Sequence, residues 1–387
     1  MPYKHLFSQS LAAIAPRRHF AAHSHHLWPD IARAGQMAAF DDALRLADDK
    51  WGPFFEREWP QAQAHVAAEL NLPDASTITF APNSHSLLIA LFSSIETKPV
   101  HLLTTDGEFH SLSRQAARWE ESGHILCERV PVMPSATFEA RFIAAAKASD
   151  YDIILTSQVF FNSGYVLTDL ESLAALGDNG GPLIVIDGYH GFKAIETDLS
   201  ALASQIFYIG GGYKYAMAGE GCAFMHAPFD KAERPEITGW YAAFGDLIAP
   251  ASGGVGYARD ASRFMGATFD PSGIYRFNAV QDMLAAEGLT TPIISAHVNA
   301  LQLRLTTAIK KRRAGALQNA RFVNDTALPR SARFIALEHE DAQDWQAKLH
   351  AAGIITDVRG DVLRIGLALY HDGDDIDDFC DIANKVL

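Results

Sequence analysis

From residue 77 to residue 226, short apolar runs alternate with helical stretches, and this rhythm constrains the fold more than any other feature. The runs are 77–80, 101–104, 125–130, 153–157, 183–187, 206–209 and 223–226, with helical spacing between most of them, as at 84–95, 111–121 and 136–148. Such alternation builds a mostly parallel sheet covered by helices on both faces. Ligands of these sheets bind beyond the carboxyl ends of the strands.

The flanking segments read differently. Residues 29–70 are helical in pattern, with Asp30 placed to cap one helix and Pro53 to open another. Residues 228–275 form a loop-rich stretch of Gly, Pro, Ser and aromatics. Helices follow at 276–287 and 292–313. The tail alternates again, with strands at 333–337, 354–358 and 362–367, a helix at 342–352 and a closing helix from Asp374. A chain of 387 residues suits two domains. The expected division is an N-terminal segment 1–40 that lines the site and packs with the small domain, a large domain 41–274, and a linker helix with a smaller C-terminal α+β domain, 275–387.

Composition excludes several classes. A net charge of −14 lacks the basic face that nucleic acid requires. No apolar stretch approaches a membrane span. Residues 11–15 are apolar but are followed by Arg17 and Arg18, not the order of a signal peptide, so none is expected. Cys127, Cys222 and Cys380 are odd in number and far apart, which leaves no disulfide framework and points to a reducing, cytoplasmic setting. His19, His23, His25 and His26 cluster, but no acid or cysteine stands beside them at ligand spacing. Pocket lining is expected there, and no metal.

Chemistry concentrates after two of the runs. Asp187 ends 183–187, and His190 follows it by three positions. Lys214 lies in Gly210-Gly211-Gly212-Tyr213-Lys214-Tyr215, after the run 206–209. An aspartate there is more commonly a turn residue, and a lysine is more commonly solvated. Together at one sheet end, however, they are what pyridoxal phosphate needs: an amine to hold its aldehyde and an acid to keep its ring nitrogen protonated. The glycines would let the backbone pass close to such a ligand. Asn83-Ser84-His85-Ser86 opens a helix after the first run; it is either an ordinary N-cap or a phosphate cradle. Phe109 or His110 would stack on a flat ring or fill the core. Arg364, on an apolar run, needs either an acidic residue or a substrate carboxylate. No GxSxG elbow, Walker loop or strand-linked GxGxxG occurs.

With these residues in view, the chain resembles fold-type I pyridoxal-phosphate enzymes of the class V aminotransferase group, and within it kynureninases. The resemblance runs from Ala21 to the Arg364 segment. It is carried by Asp187-Gly188-Tyr189-His190, Tyr213-Lys214-Tyr215, Gly239-Trp240, Arg263-Phe264-Met265-Gly266-Ala267-Thr268 and Val362-Leu363-Arg364-Ile365-Gly366. It implies the aspartate aminotransferase-like fold, a large domain with a mostly parallel, mixed seven-stranded sheet plus a smaller α+β domain. It implies that Lys214 holds the cofactor, Asp187 pairs with the pyridine nitrogen, and His190 lies near the ring hydroxyl or the aspartate. Phe109 stacks on the ring. Ser84, His85 and Tyr213 bind the phosphate, with Thr268 and Trp240 reaching it or the neighbouring subunit's pocket. Arg364 takes the substrate carboxylate, with His25 and Phe161 also on the substrate side. A homodimer with shared sites, acting on an amino acid as its small-molecule substrate, is implied.

The sequence departs from the family in Phe160-Phe161-Asn162, in His23-Ser24-His25-His26-Leu27-Trp28 and in Gly266-Ala267-Thr268. All three lie in the substrate-facing shell, so the substrate stays open. Hydrolytic Cβ–Cγ cleavage and transamination are the leading branches. Cysteine desulfuration ranks last, because neither Cys222 nor Cys380 suits a mobile nucleophile. A non-catalytic cofactor-binding module is the alternative of another class.

Overall fold

The computed structural model describes residues 3–178, 180–247, 254–326, 328 and 330–387. The predicted runs form one seven-stranded sheet: β2 (Ile78–Ala81), β3 (Val100–Thr105), β4 (Ile125–Val130), β5 (Ile153–Ser157), β6 (Leu183–Asp187), β7 (Ile206–Gly211) and β8 (Ala223–His226). Their order is β2-β8-β7-β6-β5-β3-β4. β8 runs antiparallel to β2 and β7 on either side of it, and the other pairings are parallel. β5, β7 and β8 are buried at every position, as expected where helices cover both faces.

A four-stranded antiparallel sheet forms in the tail, ordered β12 (Asp357–Arg359), β13 (Val362–Gly366), β10 (Phe334–Glu338), β9 (Arg321–Phe322). The expected single strand 354–358 is two. Its first half, β11 (Ile354–Ile355), leaves this sheet to pair in parallel with β1 (Arg18–His19). The chain then bridges from Ala21 to Gly366 and sends His26 N–H to the Tyr213 carbonyl at 3.2 Å. Residues 18–26 thereby connect the small sheet to the loop after β7.

Two helix signals are corrected. Asp30 does not cap Ile31–Leu46; its carboxylate instead accepts from Ser8 Oγ and, at 2.9 Å, from Gln9 N. Pro53 does not open a helix, because the helical path is already under way at Trp51 and continues through a π turn at Phe54–Glu58 into Trp59–Glu69. Helix Ile31–Leu46 crosses Ser272–Ala286 closely at Gly35, where a Cβ would lie 2.7 Å from the Tyr275 carbonyl oxygen. Among the described residues no helix is long and apolar enough to cross a membrane.

Candidate active site

Asp187 closes β6, and Lys214 follows β7, the next strand in the sheet. Both line one cavity of about 250 Å³, together with Asn83, Ser84, His85, Phe109, Phe161, His190 and Tyr213. Eight of the residues expected from sequence therefore meet in one place: Ser84, His85, Phe109, Phe161, Asp187, His190, Tyr213 and Lys214.

Each is set by local structure. Asn83 is extended and accepts from Ser86 N at 2.9 Å, so the cap is Asn83 and the helix Ser84–Ser93 points its start at the cavity. The first N–H groups of a helix have no partner within it and attract anions. Phe109 precedes helix His110–Glu121 and meets Phe161 edge-on, ring centroids 5.4 Å apart. Between Phe109 and His110, it is Phe109 that lines the cavity.

The electrostatics are those of a desolvated site. Asp187 accepts from Tyr189 N at 2.9 Å; burial pushes its carboxyl up, while that N–H and Lys214 pull it back down. Lys214 is 6% exposed, and its Nζ donates to the His23 carbonyl at 2.9 Å. Burial first, then the Arg364 guanidinium, lower its ammonium to about 7, against the pull of Asp187. His190 is held neutral, well below the usual histidine range, by burial and then by Lys214 and Arg364. Its buried Nδ1 has no hydrogen-bond partner among the described residues.

Four expected residues lie outside this cavity. Arg364, 2% exposed, was expected to offer its fork to a substrate. Instead Nη2 pairs with Asp357, its cross-strand partner on β12, and Nη1 donates to the Phe161 carbonyl. Its Nε is buried without a partner among the described residues. His25 sits at the mouth, stacked on Tyr213 at 5.0 Å with Nε2 3.6 Å from Glu220. Thr268 lines the adjoining cleft with His85 and Ser86. Trp240 is 40% exposed and stacks on Tyr241.

The glycine run also serves another purpose than expected. A Cβ on Gly210 would strike Phe224, and one on Gly211 would strike Tyr189. The run makes room for these rings. Sequence reading missed Ser157, Val159 and Tyr189, which also line the cavity. Ser157 was findable: it ends a predicted run, and it is the register partner of Asp187 across β5 and β6. In the histidine cluster, His19 Nδ1 meets the Tyr370 hydroxyl at 2.8 Å and His26 Nδ1 meets the Leu27 carbonyl at 2.7 Å. These are structural contacts.

The sequence matches no protein-family model and no curated protein. The structure is similar to a lysine-to-alanine mutant of C-DES with glycine covalently linked to its PLP cofactor, with a TM-score of 0.81 at 17% identity over 98% of each chain. The apo cysteine desulfurase of Thermococcus onnurineus NA1 gives 0.80 at 15% identity, covering 100% of this chain and 98% of that one. The cysteine desulfurase CsdA of Escherichia coli gives 0.79 at 14% identity, covering 99% and 97%. None of these is a kynureninase, so the expected kynureninase likeness gains no support from them. At such identities the likeness is one of architecture, and the chain has the fold-type I architecture of PLP-dependent enzymes.

Proposed function

We propose that the protein is a pyridoxal-phosphate-dependent enzyme of the class V aminotransferase group acting on an amino acid. One observation carries the reading: a half-buried carboxylate and a buried, desolvated lysine face one cavity that a helix start also faces. The residues fit the cofactor. Lys214 is an amine of lowered basicity, Phe109 is an aromatic wall, and the unpartnered Nδ1 of His190 awaits a polar group. When bound, pyridoxal phosphate takes up the electron pair left on the substrate's α-carbon.

The chain's own residues do the rest. Ser84, His85 and the Tyr213 hydroxyl would hold the phosphate. Asp187 would keep the pyridine nitrogen protonated, because a cation beside it favours its charged form. The amine of Lys214 would remove the proton from the α-carbon. Arg364 would orient the substrate carboxylate, with His25 at the entrance. Phe109 and Phe161 offer an aromatic wall, which supports an aryl side chain and a kynureninase-like Cβ–Cγ hydrolysis.

A second reading is carbon–sulfur bond cleavage, supported by the likeness to C-DES, which another structure describes as a cystine C–S lyase bound to cysteine persulfide. Desulfuration through an enzyme thiol is less supported. None of the three cysteines lines the cavity, and burial pushes Cys127, Cys222 and Cys380 up to about 11, 12 and 11. A homodimer with shared sites belongs to the same proposal. It is supported by Met37, Phe40 and Leu44, which are 44%, 54% and 71% exposed along one helix.

The test is an amino-acid screen on cofactor-loaded protein, read by visible absorption and by mass spectrometry of products, with sedimentation giving the mass of two chains. Alanine plus an aryl acid indicates hydrolysis, a keto acid alone indicates transamination, and pyruvate with a sulfur product indicates C–S cleavage. Protein that stays colourless, with Lys214 unlabelled by borohydride, overturns the reading.

A further inference from the structure

Directly behind the cavity wall lies a carboxylate that the proposed chemistry does not use. Glu108 is 4% exposed and makes no ion pair among the described residues. Three donors fix it. Thr105 Oγ1 donates to Oε1 at 2.7 Å, Ser157 N to Oε1 at 3.1 Å and Ser157 Oγ to Oε2 at 2.6 Å. Thr105 Oγ1 is itself an acceptor for Gly107 N at 3.1 Å, which leaves its proton for Glu108. Ser157 in turn lines the cavity and is the register partner of Asp187. Glu108 thus stands one hydroxyl away from the ligand space, and it immediately precedes the aromatic wall residue Phe109.

We propose that Glu108 is a positioning residue that switches the Ser157 hydroxyl between accepting from, and donating to, a ligand in the cavity. Ser157 has a single hydroxyl proton. When Glu108 is ionised, that proton points at Oε2, and Ser157 turns lone pairs towards the cavity. When Glu108 takes up one proton from water in the cleft, its own O–H donates to Ser157 Oγ, and the serine proton is released to point at the ligand. No bond to carbon changes, and one proton is bound or lost.

Thr105 from β3 and Ser157 from β5 bond to Glu108, and the charge of Asp187 at the end of β6 acts on it, itself under the influence of Lys214. Burial, and then the Asp187 charge, push the Glu108 carboxyl up to about 7 against the pull of its hydrogen bonds, so the switch falls near neutral pH. The inference rests on the cofactor reading for the identity of the ligand, not for the protonation of Glu108.

The experiment titrates wild type, Glu108→Gln and Ser157→Ala across the neutral range. Visible absorption is followed on cofactor-loaded protein and the carboxyl C=O stretch by infrared on cofactor-free protein. Wild type is expected to lose a buried carboxyl signal through about pH 7. Glu108→Gln lacks that signal, and Ser157→Ala keeps one. The visible spectrum of wild type changes over the same range. Glu108→Gln stays in the acid-form spectrum throughout, because its amide always donates to Ser157. Ser157→Ala loses the transition. If Glu108→Gln fails to fold, Ser157→Ala, which removes one hydroxyl, decides alone. Either variant keeping the wild-type transition, or a wild type without the carboxyl signal, overturns the proposal. A colourless wild type overturns the cofactor reading instead and leaves the infrared arm to decide Glu108.

Discussion

Replacing Lys214 by alanine removes covalent attachment of the cofactor and lowers turnover on the order of 10²–10⁴-fold, the usual worth of a positioned base. The lysine has the geometry for both roles. It is buried against Tyr213, with Nζ 5.0 Å from that ring's centre, and its hydrogen bonds among the described residues go to main-chain carbonyls at 2.9 Å and 3.5 Å. Carbonyls can hold an amine without neutralising it, so Nζ is free to leave them when an aldehyde arrives. Lys214→Arg separates charge from chemistry. It keeps the cation and loses the nucleophile, and is expected to be as inactive as the alanine variant. Borohydride reduction followed by peptide mass spectrometry reads the attachment directly: a cofactor mass on the Lys214 peptide of wild type and none in either variant. Cofactor mass retained on another lysine of Lys214→Ala would move the centre elsewhere.

The second large effect concerns Arg364 and the acid that holds it. Asp357 faces Arg364 across the β12–β13 ladder, with side chains only 13% and 3% exposed. It also accepts from Arg359 Nη1 at 2.8 Å. An incoming carboxylate must therefore displace Asp357 or use the unpartnered Nε. Asp357→Asn is expected to cut KM for the amino acid about tenfold, roughly 1.4 kcal/mol, because the guanidinium loses its internal counter-charge. It is also expected to destabilise the protein by about 3 kcal/mol, the scale for breaking a buried pair, read by denaturant unfolding. Arg364→Ala moves both properties differently. KM rises by roughly 100-fold, about 3 kcal/mol, when the charged clamp is lost. The Lys214 ammonium also becomes more basic, because a repelling cation has gone. Since only the neutral amine attacks an aldehyde, the pH above which apo-protein loads with cofactor moves upward from about 7 in this variant. An unchanged KM in both variants would exclude Arg364 from carboxylate binding.

The large sheet was readable because its strands are short, apolar and separated by helices, and because adjacent parallel strands deliver their ends to one side. That logic brings Asp187 and Lys214 together without any knowledge of side-chain contacts. What sequence could not supply was pairing across long separations. The Lys214 bond to His23 spans 191 positions. The Asp357–Arg364 pair depends on antiparallel register, and on a break at Thr356 that a run of β-forming residues conceals. The glycine run shows the converse. Its smallness was taken to mean close approach of a ligand, but the groups that approach Gly210 and Gly211 are Phe224 and Tyr189, which no local pattern identifies. Glu108 carries no signal of its own in the sequence, since burial of a carboxylate leaves no trace in periodicity.

The ladder between Arg18–His19 and Ile354–Ile355 has a consequence for biosynthesis. Arg18 and His19 must wait for their partner strand before they can settle, because it lies more than three hundred positions downstream. Until then the carbonyl that receives Lys214 has no fixed place, so the reactive amine is completed late and a nascent chain carries an unfinished centre.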